Sequence, residues 1–380
     1  MNKCKISNKC GGCQFLHLEY QKTLDLKKAK VLELFKKENI KVNIEEIIGT
    51  ENNFGYRNKM QLAFKTEKNE VVCGFYEENS HKVINLDTCL IHSDIQNEIA
   101  SYIREIVIKL RLKPYDEDRR LGLIRHVLIK EAVKTKQIMV VIVTATEVFP
   151  ARSEVVKMLR AKFPAISTII QNINPRKTSI VLGDKERVLF GKGFIEDYIS
   201  GLKFKITSKS FFQVNPEQTE KLYGKVDEYL NLTGKEIIID AYSGVGTIGM
   251  ILSKNAKQVI SVESNKQAVE AAISNARDNN VRNVKFFCDD ATDFLVHLAN
   301  DNEKIDGLIM DPPRTGSTPA FINAAMKLLP EKIIYVSCNP ETLVRDLKEF
   351  VKKYQVKRVS LVDMFCWSDH VETVVLMSRK

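Results

Sequence analysis

One tryptophan, ten prolines and seventeen glycines in 380 residues leave no room for a collagen-like repeat or a proline-rich linker. Long apolar runs are missing too. The longest, from Ile138 to Ala145, has about eight residues, where a bilayer span needs ~18. The opening Met1-Asn2-Lys3-Cys4 has no apolar core of a secretory leader. A cytoplasmic protein is therefore the expectation. No internal repeat or low-complexity segment interrupts the chain. With 44% hydrophobic and 28% charged residues the composition is that of a globular protein, and at roughly 150 residues per domain the length suggests two domains or three.

The net charge of +10 is unevenly placed. Residues 1–200 carry 34 basic against 25 acidic side chains, whereas residues 201–380 carry 24 against 23. A basic first half suits a surface that tracks a phosphate backbone, although a solvated Lys-rich surface accounts for it equally well.

Eight cysteines are present, and in a reducing compartment they read as metal ligands, nucleophiles or buried small side chains rather than disulfides. Cys4, Cys10 and Cys13 are crowded into the pattern C-x5-C-G-G-C. Thiolates so close repel unless a cation neutralises them, and paired glycines let the backbone fold tightly around a metal or cluster. A fourth ligand is needed, for zinc as for iron. Cys89, in Asp87-Thr88-Cys89-Leu90, is the nearest candidate, whereas Cys73 lies in strand-like Val71–Phe75. The spacing leaves iron–sulfur and zinc both open.

Hydrophobic periodicity predicts an amphipathic helix over 20–38, strands over 59–65, 70–76 and 82–86, a helix over 93–110, strands over 121–133 and 137–144, a helix over 151–163, and strands over 167–172, 179–182 and 203–206. That is an α+β pattern. After about residue 208 strands and helices alternate regularly, which predicts a parallel sheet covered by helices on both faces. The expected boundary falls near 195–210, giving an α+β domain over 1–207 and an α/β domain over 208–380.

In the second domain, Ile237-Ile238-Ile239-Asp240-Ala241-Tyr242-Ser243-Gly244-Val245-Gly246-Thr247 reads as a strand, an acid and a G-x-G turn opening a helix. Such a turn lets the backbone approach a ligand, but alone it is weak evidence. The next strand ends in Glu263, placed to accept hydrogen bonds from ribose hydroxyls. A third ends at Asp289-Asp290-Ala291, where adenine recognition would fall. The dinucleotide fingerprint lacks its third glycine, so S-adenosylmethionine fits better than NAD.

Two more strands end in unusual chemistry. Ile309-Met310-Asp311-Pro312-Pro313-Arg314 aims a carboxylate from a stiffened turn. Val336-Ser337-Cys338-Asn339-Pro340 places a thiol just before a helix, whose N-terminus is expected to lower its pKa. A turn acid and a small buried thiol are the plain alternatives, but both sit at the sheet edge that carries the cofactor turn. Farther on, His370-Val371-Glu372-Thr373-Val374 puts an acid at the start of the last strand. A thiol nucleophile and a carboxylate base can run a Michaelis-type addition and elimination.

These runs, with Ser337-Cys338-Asn339-Pro340-Glu341-Thr342-Leu343-Val344-Arg345-Asp346, Ser210-Phe211-Phe212-Gln213-Val214-Asn215 and Cys4-x5-Cys10-Gly11-Gly12-Cys13-Gln14, resemble the RNA uracil-5 methyltransferase family over essentially the whole chain. The resemblance is nearest to the 23S ribosomal RNA enzymes that carry a [4Fe-4S] cluster. It implies a Rossmann-like S-adenosylmethionine-dependent methyltransferase domain preceded by an α+β iron–sulfur RNA-binding domain. It also implies cluster ligation by Cys4, Cys10, Cys13 and Cys89, nucleophilic addition of Cys338 to uracil C6, and proton removal from C5 by Glu372. Around the cofactor it places Gln213, Tyr242, Glu263 and Asp311, beside the Gly244 and Gly246 turn and Asp290. Gln213 and Asp311 can also read the uracil edge, and the target base must leave its stack to react. The expected partner is RNA, and the expected state a monomer without an obligate protein partner.

Three departures stand out. Many relatives begin with a small β-barrel RNA-binding domain, for which the residues ahead of Cys4 leave no room, so RNA grip is expected from the basic first half. Ser243 stands where many members have Cys, and Cys366-Trp367-Ser368-Asp369 stands where Pro and Thr are common. The family also suggests that the helix over 20–38 packs on the catalytic domain. Among rivals, an adenine amino-methyltransferase would want an aromatic where Arg314 stands, a cytosine-5 enzyme prefers a different cysteine context, and a transfer RNA substrate shares the same chemistry. A non-catalytic iron–sulfur RNA-binding protein has no reason to keep Cys338, Glu372 and Asp311 together.

Overall fold

A computed structural model describes residues 4–177, 180–301 and 303–380. The chain divides into two compact units. One comprises the chain up to His17 with Asn52–Tyr198 and Phe204–Pro216, the other Leu18–Glu51, Ile199–Lys203 and Glu217–Lys380.

The first unit is built on a seven-stranded sheet in the order Val83–Asn85, Glu70–Tyr76, Lys59–Glu67, Ile124–Glu131, Ile138–Thr144, Ile166–Ile173, Lys185–Phe190. Only Ile138–Thr144 and Ile166–Ile173 run parallel, and the helix Arg152–Lys162 makes their crossover. Alternation of side chains sorts the sheet into two faces. Met60, Leu62, Val127, Ile129, Val140 and Ile142 pack with Ile99, Ile103, Val155 and Leu159 of the helices Asp94–Lys109 and Arg152–Lys162. Leu128, Met139, Val141 and Ile170 pack on the other side with Ile195 and Ile206. Those last two residues belong to a hairpin, Phe194–Ile199 with Leu202–Thr207. Its turn residues Ser200 and Gly201 have φ of 49° and 82°, as a tight two-residue hairpin turn requires.

The second unit holds an eight-stranded sheet in the order Ile44–Ile48, Tyr354–Val362, Glu372–Arg379, Lys332–Ser337, Gly307–Met310, Ile237–Ala241, Gln258–Glu263, Val284–Cys288. All neighbours are parallel except Glu372–Arg379, which runs antiparallel to both strands beside it. The central strands are apolar because both faces are covered: Ile239, Leu308, Met310, Ile333 and Tyr335 share one core with Phe321, Leu343 and Leu347 from helices. Val31 and Phe35 of the helix Tyr20–Lys37 and Ile44 of the following strand join that core.

One of the expected strands needs revision, and two strands form that were not expected. Ser179 of the strand expected over 179–182 lies outside the described residues, and 180–182 form no strand; pairing begins at Lys185. Lys185, Glu186 and Arg187 are exposed on a sheet edge, so they carry no apolar alternation to read. Phe194–Ile199 and Ile44–Ile48 form strands where the sequence suggested none.

Candidate active site

The carboxyl ends of the parallel strands in the second unit gather most of the expected residues. After Ile237–Ala241 the backbone passes through three left-handed residues, Tyr242, Gly244 and Gly246, with φ of 62°, 55° and 76°. At Gly246 a Cβ would stand 2.8 Å from Phe286 Cε1, so glycine is required there twice over. At Gly244 the space is open within 4 Å. The amide of Gly244 donates to Glu263 Oε2 at 3.0 Å, which ties the turn to the end of the neighbouring strand. The other oxygen of Glu263 accepts from the Asn265 amide at 2.7 Å. Asp240, buried below the turn, accepts from the Gly249 amide at 2.9 Å and leaves Oδ1 without a protein partner among the described residues. Burial pushes its carboxyl up to about 7, with the charges of Asp311 and Glu263 adding to the effect.

Tyr242 is half-buried against Phe321, ring centroids 5.4 Å apart, and its hydroxyl meets Ser317 Oγ at 3.3 Å. Asp290 caps the helix Ala291–Asn300, accepting from the amides of Thr292 and Asp293 at 2.8 and 3.3 Å through Oδ1. That oxygen is occupied by the ordinary duty of an N-cap.

Asp311, Cys338 and Glu372 lie at the ends of three strands adjacent in the sheet. Ser337, just before Cys338, is paired with Thr373, just after Glu372. The three groups feel one another. Burial drives the Glu372 carboxyl up to about 8, with the Asp311 charge adding and Arg314 opposing. Asp311 is pushed up to about 7 by burial. Cys338 is raised to about 11, first by burial, then by Glu372 and Asp311, with Arg314 and its own amide pulling the other way. The expected lowering of this thiol by the helix that follows is thus overturned, because desolvation and two nearby carboxyls outweigh the helix terminus.

Residues the sequence did not single out hold this arrangement. Ser337 Oγ donates to the Asn339 carbonyl at 2.9 Å and accepts from the Asn339 amide at 3.2 Å. Asn339 caps the helix Pro340–Phe350 by accepting from the Glu341 amide at 3.1 Å. Its side-chain amide donates to the Arg314 carbonyl at 3.1 Å, and Thr342 Oγ1 donates to the same carbonyl at 3.2 Å. The turns of Asp311 and Cys338 are therefore one hydrogen-bonded piece. Both Asn339 and Thr342 lie in the S-C-N-P-E-T run, the only signal that could have marked them.

Gln213 lies in the first unit, in the stretch Phe204–Pro216. Its carbonyl accepts from Asn58 Nδ2 at 2.9 Å, and buried Lys130 donates to the carbonyls of Thr207 and Ser210 at 2.8 and 3.0 Å. Phe211 beside it is 70% exposed. Cys4, Cys10, Cys13 and Cys89, also in the first unit, line a single cavity of about 190 Å³ with Ile6, Leu16 and other residues. Cys13 is raised to about 12 by burial and by the charges of Cys89, Cys10 and Cys4, and Cys89 to about 11 by burial foremost. Even so, among the described residues no three His, Cys, Asp or Glu side chains are grouped to hold a metal ion, so the expected metal site is not seen formed. Nor is any described helix long and apolar enough to cross a membrane.

The second unit has the α/β fold of S-adenosylmethionine-dependent methyltransferases. The model of the tRNA (uracil-5-)-methyltransferase family matches residues 19–380, and the chain belongs to that family. A Clostridium tetani protein named as an uncharacterized RNA methyltransferase is 43% identical over 377 residues, 99% of this chain and 82% of its own. A Clostridium acetobutylicum protein of the same description is 43% identical over 381 residues, 99% and 83% of the two chains. Among solved structures, the Pyrococcus abyssi tRNA (uracil-54, C5)-methyltransferase in complex with S-adenosyl-L-homocysteine superposes with a TM-score of 0.81 at 29% identity, over 96% of this chain and 85% of that one.

Proposed function

We propose that this RNA methyltransferase transfers a methyl group to C5 of a specific uridine, with Cys338 as nucleophile and Glu372 as base. The observation that carries the reading is the meeting of Cys338, Glu372 and Asp311 at three adjacent strand ends beside the glycine turn. Uracil C5 is a poor nucleophile. The Cys338 thiolate adds to C6, and the displaced electron pair makes C5 an enolate carbon able to attack. S-adenosylmethionine, when bound, supplies an electrophilic methyl group on its sulfonium. Once C5 carries the methyl, the Glu372 carboxylate takes the C5 proton. The C–H electron pair restores the C5–C6 double bond, the C6–S bond breaks, and Cys338 leaves as thiolate. Raised to about 8 by burial, Glu372 is a stronger proton acceptor than an ordinary carboxylate, and it acts as base in its deprotonated form.

The residues present fit the cofactor. Space is open at Gly244, Asp240 Oδ1 is buried and unpartnered, and Tyr242 offers a flat apolar surface. Gly244, Gly246, Tyr242, Glu263, Asp290 and Asp311 would hold it. The four thiols facing one cavity support a [4Fe-4S] cluster held by Cys4, Cys10, Cys13 and Cys89. Its role would be to order the amino-terminal segment for RNA, because the methyl transfer needs no electron. In this reading the first unit grips RNA and the second, which includes Leu18–Glu51, carries the chemistry, in a cytoplasmic monomer.

The resemblance to cluster-bearing enzymes favours 23S ribosomal RNA as substrate. Transfer RNA is the second reading, favoured by the Pyrococcus enzyme. Labelled S-adenosylmethionine with unmodified 23S and transfer RNA, followed by mapping of 5-methyluridine, separates them. Product in either names the substrate. Product in neither defeats the proposal, as does full activity in Cys338→Ala.

A further inference from the structure

We infer that Lys27 and Tyr20, on the helix Tyr20–Lys37, are positioning residues that hold Glu372 in place through Asp363. The inference rests on the reading of Glu372 as the base.

Glu372 opens its strand directly opposite Val362, the last residue of Tyr354–Val362. Asp363 is therefore the first residue of the loop that leaves the Glu372 pair, and the chain must travel from Asp363 to Val371 and return. That loop has no regular structure of its own, and Trp367 adopts a left-handed φ of 67°, costly for a large side chain. Something outside the loop must hold it.

The helix does so with buried charge. Lys27 and Asp363 have side chains with no exposure, and Lys27 Nζ donates to Asp363 Oδ1 at 2.5 Å. The same ammonium donates to the Phe365 carbonyl at 3.0 Å. Tyr20 OH donates to the other oxygen of Asp363 at 2.7 Å and accepts from the Thr50 amide at 3.1 Å, while its ring meets Trp367 at 5.4 Å. The Asp363 amide donates to the Ile48 carbonyl at 2.9 Å. Both carboxylate oxygens and the amide of Asp363 are thus tied to the segment Leu18–Glu51, more than 300 residues away in sequence. A buried ion pair is a poor way to gain stability, since apolar residues of like volume do as well or better. What it supplies is a fixed geometry, and the geometry fixed here is the approach to Glu372. Loss of the pair leaves the thiol turn untouched, because Cys338 is held by Ser337, Asn339 and Thr342. Addition to C6 should survive, and removal of the C5 proton should not.

The test uses the full chain and the RNA that the methylation assay identifies, labelled with tritium at uridine C5. Lys27→Met strands a buried carboxylate and is prone to misfold. Lys27→Met/Asp363→Leu, which replaces the pair by apolar groups, is the decisive variant, with Tyr20→Phe as a milder one that removes the hydroxyl and its bonds to Asp363 and Thr50. Glu372→Gln is the reference. The expected result is tritium release slowed at least tenfold in the double variant, several-fold in Tyr20→Phe, with KM for RNA within twofold of wild type. An SDS-stable protein–RNA adduct should accumulate in both. A folded double variant or Tyr20→Phe with wild-type release and no adduct overturns the inference. So does parallel loss of adduct formation and release, which would mark a merely structural role. If Glu372→Gln itself accumulates no adduct while Cys338→Ala is inactive, the failure lies with the base, not with its positioning.

Discussion

The side-chain amide of Asn339 donates to the carbonyl of Arg314 at 3.1 Å, and so joins the turn that presents Cys338 to the turn that presents Asp311. The same residue caps the helix Pro340–Phe350. A nucleophile and a carboxylate on separate strands are thereby held in one register by a group that does no chemistry.

Asn339→Ala removes both the cap and the bridge. The cap alone is worth about 1 kcal/mol, so the melting temperature should fall by a few degrees. The larger effect should be on turnover. A misplaced nucleophile costs on the order of 10- to 100-fold in rate, while S-adenosylmethionine affinity, set at the glycine turn, should stay within twofold. Steady-state kinetics with calorimetric binding tests this. Equal losses in both would show that Asn339 supports the whole sheet edge rather than the thiol.

Glu372 gives stability a pH signature. Its folded-state value near 8 lies above the ordinary glutamate value of about 4.3, so the folded protein keeps a proton that the unfolded chain has released. The stability tied to that proton is complete below the ordinary value and is lost as pH rises through about 8. A glutamine is neutral at every pH. Glu372→Gln should melt no higher than wild type at pH 4 and higher at pH 9, with a gap on the order of 5 °C. The same change removes the neighbouring charge that raises Cys338 most, after burial. Alkylation of Cys338 at pH 8, followed by peptide mass spectrometry, should therefore be faster in the variant. A slower reaction would mean that Glu372 activates the thiol instead of opposing it.

Local pattern sufficed where an element carries its own signals. The strand expected over 70–76 forms as Glu70–Tyr76, and the helix expected over 93–110 forms as Asp94–Lys109 with Ser93 as its cap. It failed where the partner is remote. Ile44–Ile48 reads as a short stretch broken by Glu45 and Glu46, and becomes a strand only because Tyr354–Val362 offers it an edge. The amphipathic stripe of Tyr20–Lys37 announces a partner without naming it, and no periodicity ties buried Lys27 to Asp363. At the site, Asp311, Cys338 and Glu372 were visible as strand-end residues in named motifs. The raised thiol was not, since proximity to a helix is written in sequence and desolvation by two other strands is not. Asn58 and Lys130, which hold the backbone around Gln213, are likewise hidden, because their partners are carbonyls that any residue provides.

The glycine turn offers a paired test. Gly246 has φ of 76° and faces the Phe286 ring at 2.8 Å from the position of a Cβ, whereas Gly224 sits inside the helix Pro216–Leu230 with nothing within 4 Å. Alanine at 246 meets a left-handed penalty of about 1–2 kcal/mol plus the clash, and S-adenosylmethionine affinity should fall by at least about tenfold. Alanine at 224 relieves a helix-interior glycine and should stabilise by roughly 0.5–1 kcal/mol with affinity unchanged. Thermal melts and titration calorimetry of the two variants decide the point. Unchanged affinity in Gly246→Ala would place the cofactor elsewhere.

The cysteine cavity makes the last prediction. Cys10, Cys13 and Cys89 are raised chiefly by burial, and each is raised further by neighbouring thiols. Such thiols gain nothing from facing one another unless a positive centre draws their protons off. Reconstitution with iron and sulfide under nitrogen should therefore give a brown protein with visible absorption and bound iron. Cys13→Ser should lose both. Cys73→Ser, altered at a thiol buried in the strand Glu70–Tyr76 and absent from the cavity lining, should keep them. Because the methyl transfer needs no electron, stripping the iron should weaken RNA binding at least about tenfold, and leave turnover at saturating RNA within about twofold. Wild-type protein that takes up zinc but no iron would replace the cluster by a single ion, and iron uptake that survives Cys13→Ser would move the site away from this cavity.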